Sequence, residues 1–162
     1  MAQHGVVLSI QLLRVHRRPP VPVAEAQAVV GHGLEGDVHG KGSANSSRQI
    51  LLVDRQTLEA LDLAPGALRE QLTVDLPGLE GLPRGTRLRV GQAILEVTIP
   101  CEPCEVIGKY NAVADPYALR ERLRGQRGML SRVVATTGEG VIRRGDPVVV
   151  ETPHDVPASV GR

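Results

Sequence analysis

The chain contains no tryptophan and no phenylalanine, and its aromatic complement is Tyr110 and Tyr117 alone. Two tyrosines cannot build a platform on which bases stack, so single-stranded nucleic acid is excluded as a partner on that ground. Charge of one sign is also missing. With 19 basic and 18 acidic residues the formal net charge is +1, which sets up no field toward nucleic acid or a membrane surface. Lysine is scarce: only Lys41 and Lys109 stand among the basic residues, and the rest are arginine. Any mechanism that needs a lysine therefore has two candidates. No apolar run approaches the roughly 20 residues that cross a bilayer. The start, Met1-Ala2-Gln3-His4, has no basic n-region and no small-residue cleavage site, so no signal peptide is expected. Cysteine occurs twice, at Cys101 and Cys104. Two thiols without an export signal read as intracellular thiols rather than a disulfide framework, and the expected address is cytoplasmic.

What is present is an aliphatic, β-rich chain. At 162 residues it suits one domain, expected over 1–151, with a frayed tail over 152–162 where two prolines break a stretch of little apolar content. Strands are expected over 5–16, 23–30, 49–53, 72–74, 86–90, 93–99, 129–135 and 146–151. Gly91-Gln92 is placed to turn a hairpin. Asp54 is a candidate cap for a helix through Leu61, Pro65-Gly66 for a short helix over 67–70, and Asp115-Pro116 for a helix to about Arg124. Seven or eight short strands with few helices predict a mainly β fold, a barrel with a few short helices, rather than a doubly wound sheet.

Residues 31–48 hold five glycines and no apolar period, and a loop of that length in a compact domain is usually functional or disordered. Gly31-His32-Gly33-Leu34-Glu35-Gly36 matches the dinucleotide fingerprint G-x-G-x-x-G. Its third glycine, however, enters Asp37-Val38-His39-Gly40-Lys41-Gly42-Ser43, which cannot be the required helix. A phosphate loop fails as well, because Glu35 stands where its first glycine belongs. The loop still gathers polar chemistry: Asp37 is spaced to orient the His39 imidazole, and Arg48 at its exit suits an anion.

The stretch Leu95-Glu96-Val97-Thr98-Ile99-Pro100-Cys101-Glu102-Pro103-Cys104 is a strand that runs into proline and delivers both thiols at its mouth. Four readings stay open on the residues alone. The pair forms half of a zinc site with His32 and His39; it is a thioredoxin-type pair, though without the flanking βαβ pattern; it is two inert fillers; or Cys104, after a rigid proline, is a reactive thiol.

Several motifs in order carry a resemblance: Gly33 to His39, Arg48-Gln49-Ile50-Leu51-Leu52, Pro65 to Thr73, Leu88 to Thr98 with Pro103-Cys104, and Gly145-Asp146. Over roughly Val6 to Val150 the chain resembles a free-standing MOSC domain, the module named after the C-terminal domain of molybdenum-cofactor sulfurase. The resemblance implies a MOSC-type β-barrel with a reactive cysteine at one end. It implies a sulfur carrier that holds a cysteine persulfide, or a site for a molybdenum cofactor (molybdopterin) with that cysteine as the metal ligand. Cys104, the cysteine after proline, inherits that role, with His39 and Asp37 as catalytic companions and Gly36, Lys41, Arg48, Gln49 and Gln71 as cofactor-binding candidates. Cys101 stands where many relatives have a basic residue, and Gln71 where many have asparagine. Cys101 is placed to resolve a persulfide on Cys104 as an internal disulfide.

The implied partners are a cysteine desulfurase or a molybdoenzyme. A second reading is a molybdenum-dependent reductase of N-hydroxylated compounds; with no flavin, haem or iron–sulfur motif in this chain, it needs an electron-donor protein. A third is a non-enzymatic barrel, structural or clipped by zinc. Pyridoxal phosphate belongs to a different domain of the sulfurases, and here it could attach only at Lys41 or Lys109, neither in a recognisable cofactor motif.

Overall fold

The computed structural model describes residues 3–41 and 46–151. Its centre is a ring of seven strands. In chain order the elements are β1 (His4–Leu12), β2 (Val21–Val23), β3 (Glu25–Val29), β4 (Gly33–Leu34), β5 (Ile50–Asp54), α1 (Arg55–Ala60), β6 (Leu72–Asp75), β7 (Arg87–Val90), β8 (Ala93–Pro100), α2 (Val106–Tyr110), α3 (Pro116–Arg122), β9 (Met129–Thr136), β10 (Val141–Arg143) and β11 (Pro147–Glu151). Single 3-10 turns occupy Val38–Lys41 and Leu79–Gly81. The hydrogen-bonded order β11-β7-β8-β9-β5-β6-β1 closes on itself through a β1–β11 pairing. Closure removes the exposed sheet edges that an open sheet would present. β2 folds back on the far end of β1, and β10, β3 and β4 form a separate three-stranded sheet.

The β5–β6 pair is the parallel one, and a parallel pair needs a crossover. Asp54 starts it by accepting the Gln56 N–H as the cap of α1, and its other oxygen accepts the Leu76 N–H at 2.7 Å. One carboxylate thus joins the helix start to the end of the next strand.

Strand alternation divides the aliphatic residues between two cores. Ile50, Leu52, Leu72, Val74, Leu88, Leu95, Val97, Met129 and Val133 point into the barrel. Leu51, Val53 and Leu130, on the other face of β5 and β9, meet Leu58, Leu61, Leu68, Ile107, Leu119 and Leu123 beneath the helices. A strand covered on both faces reads as an unbroken apolar run, which is why Ile50-Leu51-Leu52-Val53 does not alternate.

Three expectations change. The stretch over 23–30 is two strands: Val23 closes β2 on the barrel, Ala24 breaks the run, and β3 belongs to the small sheet. The expected helix over 67–70 is a sequence of turns, because Arg69 takes a left-handed backbone with φ 60°. The segment 106–110, given no helix, forms α2, and the short β4 and β10 raise the strand count to eleven among the described residues. Two-residue and three-residue strands carry too little pattern to be read from period alone. The tail over 152–162 lies outside the described residues.

Candidate functional site

Outside the barrel wall, where β5, β6 and β9 pass beneath the loops 37–41, 66–71 and 100–105, polar side chains converge. Asp37 anchors one side. Its side chain is fully buried, and it accepts the Leu13 N–H at 2.8 Å and the His39 N–H at 2.9 Å. Its Oδ1 also lies 3.1 Å from His39 Nδ1. Burial by itself would raise the Asp37 carboxyl; the hydrogen bonds from His39 and Leu13 outweigh it and hold the group below the usual carboxylate range. An ionised acceptor at Nδ1 selects the tautomer with the proton there, leaving Nε2 of the half-exposed ring as an acceptor. The sequence spacing that set Asp37 beside His39 is therefore realised.

Gln71 completes this support. Its Nε2 donates to both Asp37 oxygens at 3.3 and 3.4 Å, and its Oε1 accepts the Leu51 N–H at 2.8 Å. The amide ties the loop carrying His39 to the barrel strand β5.

The opposite side is arginine. Arg48, Arg69 and Arg127 line one cavity of about 200 Å³ together with His39, Gln71 and Cys101, over a floor that includes Leu51 and Leu130. Arg69 is held from two directions, its Nη1 donating to the Arg18 carbonyl at 2.8 Å and its guanidinium lying 4.5 Å from the Tyr110 ring centroid. Those contacts offset its left-handed backbone, a conformation disfavoured for a non-glycine residue. Arg127 differs in kind. It is only 6% exposed, and its Nε and Nη1 have no hydrogen-bond partner among the described residues. Burial pulls its pKa below the ordinary guanidinium value, while the sulfurs of Cys101 and Cys104 and the Glu70 carboxyl act in the other direction.

Glu70 does not neutralise this cluster by direct pairing. Its two oxygens are taken by the Leu68 N–H at 3.1 Å and the Thr73 hydroxyl at 3.0 Å, and burial pushes its carboxyl upward toward the neutral acid. Three arginines and no carboxylate stand in the lining of this cavity.

Both cysteines are free and half-buried. Cys101 forms part of the cavity wall, and its backbone N–H donates to the Gly128 carbonyl at 2.9 Å, one residue beyond Arg127. Cys104 lies further along the loop, where its Sγ accepts the Val106 N–H at 3.4 Å at the start of α2. Of the remaining candidates, Arg48 and Gln71 line the cavity, and Gly36 instead shapes a neighbouring 140 Å³ pocket with His32, Glu35 and Asp37. Gln49 is buried between β5 and β9, where its Oε1 accepts the Val133 N–H at 2.9 Å. Lys41 ends the 3-10 turn Val38–Lys41.

Sequence reading missed Arg69 and Arg127. Arg69 sat inside an expected helix, and Arg127 carried no motif; its one signal was a charge two positions before the strand expected over 129–135. His32 and His39 line different cavities, and no group of three or more His, Cys, Asp or Glu side chains gathers as a metal cage among the described residues. The four-ligand zinc clip is not assembled there.

The model of the MOSC domain matches residues 36–149. The chain belongs to the MOSC domain family. That family is linked to molybdenum-cofactor binding and sulfur-carrier roles. Solved structures agree on the MOSC fold. The YuaD protein from Bacillus subtilis superposes with a TM-score of 0.77 at 19% identity, covering 93% of this chain and 97% of that one. YiiM from Geobacillus stearothermophilus gives a TM-score of 0.69 at 20% identity over 97% and 77% of the two chains. YiiM from Escherichia coli gives 0.65 at 21% identity over 94% and 70%. No curated protein is similar enough in sequence to match. No helix among the described residues is long and apolar enough to cross a membrane.

Proposed function

We propose that this MOSC domain is a sulfur-carrier or molybdenum-cofactor-binding module that uses the thiols at the end of β8, with Cys104 as persulfide carrier or metal-ligating thiolate. One observation carries the reading. Arg127, whose buried Nε and Nη1 have no hydrogen-bond partner among the described residues, lines the same cavity as His39, Arg48, Arg69 and Cys101, which supports an anion-accepting surface beside the cysteine segment. A buried unpaired cation is costly unless an anion arrives to meet it.

The residues fit the anionic end of a molybdopterin. Arg127, Arg69 and Arg48 would hold its phosphate, and a cysteine thiolate would be the ligand to its metal. The bound group would supply two-electron redox or sulfur chemistry at that metal. This chain's own part is to bind and orient. Asp37 and Gln71 fix the His39 loop, Asp37 keeps the proton on Nδ1, and Nε2 is left to take or return a proton at the cavity mouth. The expected cytoplasmic address agrees with thiols kept reduced, and the matching partners are a cysteine desulfurase as donor and a molybdoenzyme as acceptor.

Incubation with a cysteine desulfurase and cysteine, followed by cyanolysis and intact-mass measurement, tests the reading. Sulfane sulfur on the wild type and none on Cys104→Ser is expected. If neither sulfane sulfur nor molybdopterin is found on the wild type, the reading fails.

One observation favours the reductase alternative. A second cleft of about 360 Å³ shares Arg69 with the cationic cavity and is walled by Pro19, Pro20, Pro22, Pro65 and Tyr110. Such a partly apolar cleft suits an organic substrate beside the anion site. Stoichiometric molybdenum in freshly purified protein, with turnover of an N-hydroxylated base that depends on an added electron-donor protein, would decide for it.

A further inference from the structure

We propose that the cavity walled by Arg48, Arg69 and Arg127 binds a small sulfur oxyanion of the thiosulfate class, and that Cys101 is the thiol that attacks it. The inference deepens the sulfur-carrier reading, on which it rests, by naming the donor and by assigning first contact to Cys101 rather than Cys104.

Size, charge and position agree. At about 200 Å³ the cavity is smaller than the roughly 300–1,000 Å³ of sites for drug-sized ligands, and it suits a tetrahedral anion with a few waters. Three arginines line this space, and two nitrogens of Arg127, Nε and Nη1, are buried without a hydrogen-bond partner among the described residues. Guanidinium groups present paired donors to planar and tetrahedral oxyanions, so sulfonate-type oxygens match them. Of the nearby acids, Glu70 is already hydrogen-bonded to Leu68 and Thr73, and burial holds the Glu80 carboxyl toward its neutral form. Cys101 is the thiol on that wall, and its Sγ makes only a long 3.9 Å contact with the Glu102 carbonyl among the described residues. Its backbone is pinned to Gly128 beside Arg127. An anion held by Arg127 is therefore held next to the sulfur.

The step balances without an added oxidant. The Cys101 thiolate attacks the outer sulfur of thiosulfate, a new S–S bond forms to Cys101, and the sulfur–sulfur bond of thiosulfate breaks. Sulfite leaves with the bonding pair and carries the two negative charges, while Cys101 becomes a perthiolate with one. The arginines that oriented the donor hold the departing sulfite. Transfer of the outer sulfur from Cys101 to the Cys104 thiolate then regenerates the Cys101 thiolate, again without net redox change.

The full chain, reduced and freed of small thiols, is mixed with thiosulfate, and released sulfite is measured by bimane derivatisation and chromatography. Tandem mass spectrometry locates the added sulfur. A burst of one to two sulfites per chain is expected, because transfer to Cys104 frees Cys101 to react again, with the mass of one or two sulfur atoms on the Cys101–Cys104 segment and no burst from Cys101→Ser. Arg127→Gln should slow the burst about tenfold or more. Because a buried substitution can disturb folding, Arg48→Gln, at an exposed position, is the second variant, and a severalfold loss is expected from it. A wild-type burst from Cys101→Ser, or full rates from both arginine variants, overturns the proposal. No sulfite release while Cys104 still accepts sulfur from a desulfurase overturns this inference and leaves the carrier reading standing. A burst at Cys101 with no sulfane sulfur on Cys104 from any donor keeps the donor assignment and overturns both the transfer step and Cys104 as the carrier.

Discussion

The barrel interior and the cationic cavity are built on the two faces of the same strands, and they solve opposite problems. Inside, Ile50, Leu52, Leu72, Leu95 and Val133 meet only other aliphatic groups, and burial itself stabilises them. Beside the outer face, just before β9, Arg127 is nearly as buried, yet two of its nitrogens find no partner among the described residues. One region is satisfied by folding alone. The other leaves buried donors without partners among the described residues, and that difference is the ground on which we propose it as the binding face.

Substitutions should sharpen this contrast. The largest effect is expected from Leu95→Ala, since Leu95 is fully buried on β8. A loss of about 2–5 kcal/mol in urea unfolding is expected, with the surviving folded fraction still able to bind the anion.

Asp37→Asn comes next. It leaves the Leu13 and His39 donors facing a weaker acceptor, and a cost of about 1–3 kcal/mol is expected. The pH dependence gives the sign. Because the folded carboxyl is held below its ordinary value of 3.8, its contribution is present above that pH and disappears as pH falls through the lower folded value. Wild type should therefore lose stability in acid more steeply than Asp37→Asn, as followed by circular dichroism.

Arg127→Met should act in the opposite direction from a core truncation. Replacing an unpaired buried charge by an apolar side chain of similar length should raise stability by about 1–2 kcal/mol while abolishing anion binding. Destabilisation with binding intact would mean that the cavity is an ordinary part of the core.

Glu80 is a smaller case of the same kind. Burial pushes its carboxyl up to about 7, the Asp54 carboxylate adds to that, and the Gly128 N–H and Arg127 oppose it. A raised carboxyl stabilises the fold below the unfolded value of 4.5 and loses that contribution as pH rises through about 7. Glu80→Gln should flatten this decline, and with solvent screening of a partly exposed group the gain at pH 8 is about 1 kcal/mol. The smallest effect on stability is expected from oxidation. Mild peroxide should join Cys101 to Cys104, with loss of both titratable thiols and little change in the melting temperature, because so short a loop constrains the unfolded chain little. Two free thiols after treatment would refute the internal switch.

Much of the architecture was legible in advance, because it rests on local rules. Alternating β-branched residues, the Gly91-Gln92 hairpin and the Asp54 and Asp115 caps each act within a few residues, and each reappears in the fold. The Asp37–His39 pair is likewise two residues apart. Errors fell where tertiary contacts decide. Arg69 forsakes the helix its neighbours favour because its guanidinium is held by Arg18 and Tyr110, 51 and 41 positions away. Arg127 meets Cys101 only because β8 and β9 pair in antiparallel register, bringing the end of one strand beside the start of the other. Residue order by itself determined the aliphatic β-barrel, its caps and its one cysteine segment. Only closure of the barrel decided which charges face that segment, since burial and distance between remote residues are properties of the packed chain.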